Sequence, residues 1–174
     1  MDAGRGRELA MKNSTNAERT SDREIVVRRI FDAPARLVFE AWTRPELFKS
    51  WWAPKSMGMT IRSCEMDVRV GGKYRIVFGE SDAQSMAFFG QYLEVVPASR
   101  LAWTNEEGGD GGPITTVTFE EKAGKTLLVL SELHSSKESL DANLGASEAL
   151  RETFEQLDEL LARLTSQSEL GIDS

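Results

Sequence analysis

The sequence contains one histidine and one cysteine, and its carboxylates follow no ligand spacing, so few residues could do chemistry. Structural and catalytic metals need three or four ligands from recognisable spacings. No metal and no cofactor is expected. No serine stands in a Gly-x-Ser-x-Gly context, and the glycine-rich stretch 108–112 lacks the lysine and following helix of a phosphate loop. Glu132 and His134 remain. In a strand over 126–134, alternation puts Glu132 and His134 on the face shared by Leu128 and Leu130. A carboxylate pointing with those leucines leaves water and becomes a possible acid or base. The alternative is that the strand ends near Glu132, which then sits at a wet rim or pairs with Arg75. His134 is either a general base or a solvated residue at a strand end.

The second resource is aromatic. Phe48, Trp51 and Trp52, followed by Met57 and Met59, form a cluster in what reads as a short helix and loop. Such clusters pack on something. They either line the mouth of a pocket, offering flat amphipathic surface, or glue the helical segment to the rest of the fold. Tyr74, Ile76, Phe78, Tyr92, Trp103, Phe119, Leu128 and Leu130 fall on strand faces directed inward. They wall a cavity or fill a dry core, and in the first case Tyr74, Tyr92 or Glu132 would orient a polar group of a ligand.

These residues need elements to hold them. Leu150, Phe154, Leu157, Leu161 and Leu164 recur at steps of four and three, which draws one apolar stripe along a helix over 141–164. The stripe lasts about two heptads, too short for a coiled-coil seam, so a sheet is the expected partner. Strands read over 24–31, 59–66, 73–78, 86–96, 101–103, 115–120 and 126–134, with tight turns at Gly71-Gly72 and Ala123-Gly124. Asp32 and Pro34 open a helix through Trp42, and Pro45 opens a second through Phe48. Hairpin succession implies an antiparallel meander with one face to bury. The expected fold is α+β, a curved antiparallel sheet of six to seven strands wrapped around a long C-terminal helix. Residues 23–165 form one domain between a disordered tail over 1–22 and a flexible tail over 166–174.

At 174 residues the chain can bury a core without staples. Its net charge of −7 and the absence of any basic run exclude a phosphate-neutralising surface, so nucleic acid is not an expected partner. Arg28 and Arg29 read as solvated edge charges. Cys64 has no partner for a bridge, which points to a reducing, cytoplasmic setting. No stretch approaches the roughly 18 apolar residues of a membrane span. Monomer and homodimer both remain open.

The chain resembles the helix-grip superfamily of birch-allergen and lipid-transfer (START-like) domains. Within it, the closest likeness is to the family related to the activator of Hsp90 ATPase. The likeness rests on Phe31-Asp32-Ala33-Pro34, Val38-Phe39, Ala41-Trp42, Pro45-Glu46, Trp51-Trp52, Gly71-Gly72-Lys73-Tyr74, Gly90, Tyr92, Glu94-Val95 and Arg100-Leu101. Many relatives carry Gly-Trp where this chain has Glu152-Thr153, so Phe154 is expected to rebuild that part of a pocket wall. Three uses follow from the resemblance. The first is non-catalytic binding of a small hydrophobic or aromatic ligand between sheet and helix. The second is a co-chaperone module acting on an Hsp90-type ATPase through the loop at 51–59. The third is a cyclase or dehydratase using Glu132.

Overall fold

The computed structural model describes residues 15–169, apart from 59, 80, 82–84, 108, 110 and 111. The strand periodicity becomes one eight-stranded antiparallel sheet: β1 (Asn16–Arg19), β2 (Glu24–Phe31), β3 (Ile61–Met66), β4 (Lys73–Gly79), β5 (Ser85–Val96), β6 (Arg100–Thr104), β7 (Ile114–Lys122) and β8 (Lys125–Leu133). Two helices follow β2, α1 (Ala35–Thr43) and α2 (Pro45–Phe48), and two close the chain, α3 (Lys137–Ala142) and α4 (Leu144–Glu169). The spatial order is β1-β2-β8-β7-β6-β5-β4-β3. Consecutive strands from β3 to β8 form hairpins, and β2 returns to pair with β8, Val27 opposite Leu130. The α+β helix-grip fold read from the sequence is the fold observed.

β5 is the strand that bends the sheet. Its first part pairs with β4, Lys73 opposite Gln91, and its second with β6, Tyr92 opposite Trp103, with a bulge between Tyr92 and Glu94. An extra residue on one strand increases local twist, and here it curls the meander around α4. At the β7–β8 turn, Ala123 and Gly124 both take positive φ, 56° and 79°, as a two-residue turn with the hand of the sheet requires.

The concave face and the helices bury Val27, Phe31, Val38, Trp42, Trp51, Leu101, Val117, Leu128, Phe154, Leu157 and Leu161 almost completely. Each such side chain removed from water contributes about 1.5–3 kcal/mol. Trp42 is the hub. Its ring lies 4.9 Å from that of Trp51, 5.8 Å from that of Trp103 and 6.3 Å from that of Phe154.

Several boundaries differ from expectation. Residues 16–19, expected in a disordered tail, form β1 against β2, an eighth strand whose polar Asn-Ala-Glu-Arg sequence carries no alternation. Residues 1–14 lie outside the described residues. Arg29 is not a solvated edge charge: it is buried above the Phe31 ring, donates to Thr15 Oγ1 at 3.0 Å and pairs with Asp158 of α4 at 3.3 Å. Strand parity puts it on the side of Val27 and Phe31. Asp32 does not cap α1. Pro34 occupies that position, and Glu121 of β7 accepts from the Ala35 amide at 2.9 Å. The expected single C-terminal helix is broken at Asn143 into α3, capped by Ser136, and α4. α4 continues to Glu169, beyond the expected start of a flexible tail at 166. Residues 170–174 lie outside the described residues.

Candidate functional site

The sheet curls more tightly than α4 can fill. On the side of β3 to β6 a cavity of about 420 Å³ remains between the concave face, α4 and the segment after α2. Phe48, Trp52, Met57, Tyr74, Ile76, Phe78, Tyr92, Trp103 and Glu132, all singled out from the sequence, lie along its wall. The mouth is marked by Met57 and Met86, which line the cavity while 62% and 52% exposed.

Trp51, Phe119, Leu130 and Phe154 do not line it, which corrects the expectation for these four. Trp51 is fully buried and its indole N–H donates to the Ala41 carbonyl at 2.9 Å. Phe119 packs edge-on against Phe39 of α1, and Leu130 sits in the dry core beside β2. Phe154 stands edge-on to Phe31, 5.8 Å between centroids. The helical period decides this last case. Ala149, Leu150 and Thr153 share the side of α4 facing the cavity, whereas Phe154, Leu157 and Leu161 share the side facing the dry core. At the Glu152-Thr153 departure from its relatives, Thr153 meets the cavity with a short side chain. Glu152 reaches the other way and accepts from the amide of Ser56 at 2.8 Å and from its hydroxyl.

That contact is one of a set fastening the segment after α2 to α4. Gln156 accepts from the Lys55 amide at 3.0 Å, and its Nε2 donates to the carbonyls of Trp51 and Ala53, both at 2.9 Å. The hydrogen bonds from Ser56 hold the Glu152 carboxyl below its ordinary value of 4.5. The roof of the cavity is thus pinned at two levels of the helix.

The polar residues gather at one end. Across β5, β6, β7 and β8, Tyr92, Trp103, Thr115 and Glu132 stand opposite one another in register and form a single row on the concave face. Adjacent strands lie about 4.8 Å apart, so Glu132 and Trp103 are separated by about 10 Å. Glu132 pairs not with Arg75 but with His134, whose Nε2 lies 2.8 Å from Glu132 Oε1. His134 is not a solvated strand end: α3 folds back over it, it is 1% exposed, and its Nδ1 lies 2.8 Å from Ser139 Oγ. An ionised carboxylate only accepts, so Nε2 carries the proton. At Nδ1 the ring shares a second hydrogen bond with the Ser139 hydroxyl. The chain from Glu132 through His134 to Ser139 fixes the carboxylate.

The Tyr74 hydroxyl donates to the Thr104 carbonyl at 2.7 Å. Gly90, opposite Tyr74 in β5, makes that approach possible, because a Cβ there would stand 2.1 Å from the same carbonyl oxygen. Burial first, then Glu107, Tyr92, Glu106 and Glu132, raises the Tyr74 phenol far above its ordinary value and keeps it protonated. Burial similarly raises Tyr92, with Cys64 and Asp67 adding to it.

Trp42, Pro54, Met66, Met86, Phe88, Asn105, Glu107, Pro113, Asn143, Ala149, Leu150 and Thr153 also line the cavity and were not among the residues expected there. Leu150 belonged to the apolar stripe and Trp42 to a helix face, signals that mark burial without distinguishing core from cavity. Asn105 and Glu107 flank the glycine-rich loop, where no periodicity gives a direction.

The profile of the family described as Activator of Hsp90 ATPase homolog 1-like protein matches residues 32–162. A comparison with curated proteins finds no match. Among solved structures, a Rhodobacter sphaeroides protein is similar at 22% identity and a TM-score of 0.77, over 86% of this chain and 99% of its own. A Chromobacterium violaceum protein is 29% identical with a TM-score of 0.64, over 79% of this chain and 96% of its own. An AHSA1-like protein of Aeromonas hydrophila is 18% identical with a TM-score of 0.64, over 86% and 95% of the two chains. No helix among the described residues is long and apolar enough to cross a membrane. With the profile spanning the helical cover, the meander and most of α4, the chain belongs to the Activator of Hsp90 ATPase homolog 1-like family, the one its Phe31-Asp32-Ala33-Pro34 and Trp51-Trp52 segments resemble.

Proposed function

We propose that the protein binds a small, largely apolar molecule in the cavity between the sheet and α4. The observation that carries this reading is the unfilled volume of about 420 Å³ walled by tryptophan, phenylalanine and methionine side chains. A core built only for stability closes such space, since each void forfeits contacts that packing would supply. Ligand pockets in general are apolar clefts of this size with a few convergent polar groups, and Glu132, Glu107 and Asn105 supply those groups here.

The family description supports a second reading, docking on an Hsp90-type ATPase. That reading calls for an outward apolar patch on the segment after α2. Trp51 is fully buried and Trp52 is turned into the cavity wall, which leaves Met57 as the exposed large apolar side chain among residues 51–58. The buried tryptophans therefore favour the ligand-binding reading.

The test uses tryptophan fluorescence and thermal melting against a panel of aromatic and aliphatic small molecules. Ligands that raise the melting temperature of the wild type, and fail to do so once Leu150→Trp fills the cavity, support the reading. A panel with no stabilising member overturns it.

A further inference from the structure

The cavity's polar equipment is one-sided. Of the two ionisable side chains that carry charge on its wall, Glu107 and Glu132, both are acidic, and no lysine, arginine or histidine is among the lining residues. Three of the side-chain donors on the wall are already spent, whereas the indole N–H of Trp42 is buried without a hydrogen-bond partner among the described residues. The Tyr74 hydroxyl is used on the Thr104 carbonyl, Asn105 Nδ2 on the Pro113 carbonyl and Thr115 Oγ1, and Asn143 Nδ2 on the Ser139 carbonyl. The acceptors are spent only in part: Glu107 accepts from the Phe89 amide through Oε1 at 3.2 Å. Glu132 gives Oε1 to His134, while its Oε2 has no hydrogen-bond partner among the described residues and its side chain is 26% exposed. A bound anion would meet like charge, and a purely apolar molecule would strand these acceptors away from water.

The sheet register supplies a partner for the rest of such a ligand. The indole of Trp103 lies in the same row as Glu132, about 10 Å away by strand spacing. Trp42 and Trp52 close the wall beside it. Aromatic faces attract cations as well as apolar groups.

Resting on the ligand-binding reading above, we propose that the ligand class is an organic amine: an ammonium donating to Glu132 Oε2, carried on an aromatic or aliphatic body that lies over Trp103. Glu132 is the specificity-determining residue, and His134 with Ser139 positions it.

The probes are tryptamine, its neutral counterpart tryptophol and its acidic counterpart indoleacetate, which share one ring and differ in the charge of the head. Their affinities for the wild-type protein are measured by isothermal titration. The expected result is tryptamine bound roughly tenfold or more tightly than either of the others, the scale of a charge-assisted hydrogen bond. In Glu132→Gln the preference falls to within about threefold. Equal binding of all three to the wild type, or preference for the acid, overturns the amine assignment and leaves the cavity reading standing. Binding of none of the three, together with failure of the wider panel, overturns the cavity reading itself. The wild-type comparison needs no variant, so it decides even where Glu132→Gln fails to fold.

Discussion

Trp51 and Trp52 are neighbours in the chain, yet their rings stand 5.4 Å apart at 85°, and that right angle divides their roles. Trp51 drops into the core, with its N–H on the Ala41 carbonyl, and Trp52 stacks on Phe48 at the cavity wall. Trp51→Ala is expected to lower unfolding free energy by about 3–5 kcal/mol, as for large buried aromatics. Trp52→Ala should cost clearly less stability and weaken ligand binding more. Urea unfolding and ligand titration of the two variants check this; equal effects on both measurements refute the division.

Thr153 and Phe154 make the same division along the helix. Phe154→Ala opens a void among Phe31, Trp42 and Trp51 and is expected to cost about 3–5 kcal/mol. Thr153→Val keeps nearly the same volume and removes a hydroxyl that donates to the Leu150 carbonyl. It should change stability by at most about 1 kcal/mol and leave an apolar ligand bound. Denaturation curves separate the two.

The clamp between Glu152 and Ser56 should depend on pH. Its hydrogen bonds lower the Glu152 pKa in the folded protein, so its contribution is present above the ordinary value of 4.5 and is lost as pH falls through the lower folded value. The protection of the Ser56 amide, taken relative to its intrinsic exchange rate, is expected to fall over that acidic window. In Glu152→Gln the same amide should exchange faster at neutral pH and show a protection less dependent on pH. Unchanged exchange in the variant would refute the clamp.

Cys64 on β3 should be a slow nucleophile. Burial, the largest influence, raises its thiol to about 11, with Glu46 adding to the rise and Lys49 opposing it. The thiolate is the reactive form, so its fraction at neutral pH falls about a hundredfold relative to an ordinary thiol. Iodoacetamide alkylation of the native protein should be slower than that of the urea-unfolded chain by a comparable factor. Matching rates would show that the thiol is not held in this way.

Gly90→Ala is expected to break the latch between Tyr74 and Thr104. The new Cβ would stand 2.1 Å from a backbone carbonyl that belongs to a paired strand, and relief requires β5 and β6 to part. The cost should be about 1–3 kcal/mol, with the change in near-ultraviolet circular dichroism dominated by the tyrosine band. A variant with wild-type stability would show that the strands yield without strain.

Alternation and turn chemistry were enough to read seven of the strands and both sheet faces, because a period of two survives wherever one face is buried. β1 was not legible. Asn16, Ala17, Glu18 and Arg19 pair through backbone hydrogen bonds at a sheet edge, and a mostly exposed edge strand has no face to pattern. The burial of His134 was hidden for a different reason: strand parity cannot show that α3 will turn back and roof it. The division between core and cavity was also hidden. Leu150 and Phe154 lie on one stripe, and which of them meets empty space depends on the curl of β5 around the helix, a property of the whole sheet.

The pairing of β2 with β8 carries a cost in time. β2 is made early, but its partner emerges from the ribosome roughly a hundred residues later. α4, which covers the concave face, is later still. Until then the nascent chain holds β4 and β5 with Tyr74, Ile76, Phe78 and Tyr92 uncovered, a sticky hairpin surface without its lid. Chains truncated before β8 should therefore clump as they are synthesised, while the complete chain closes the sheet and the helix in a single late step.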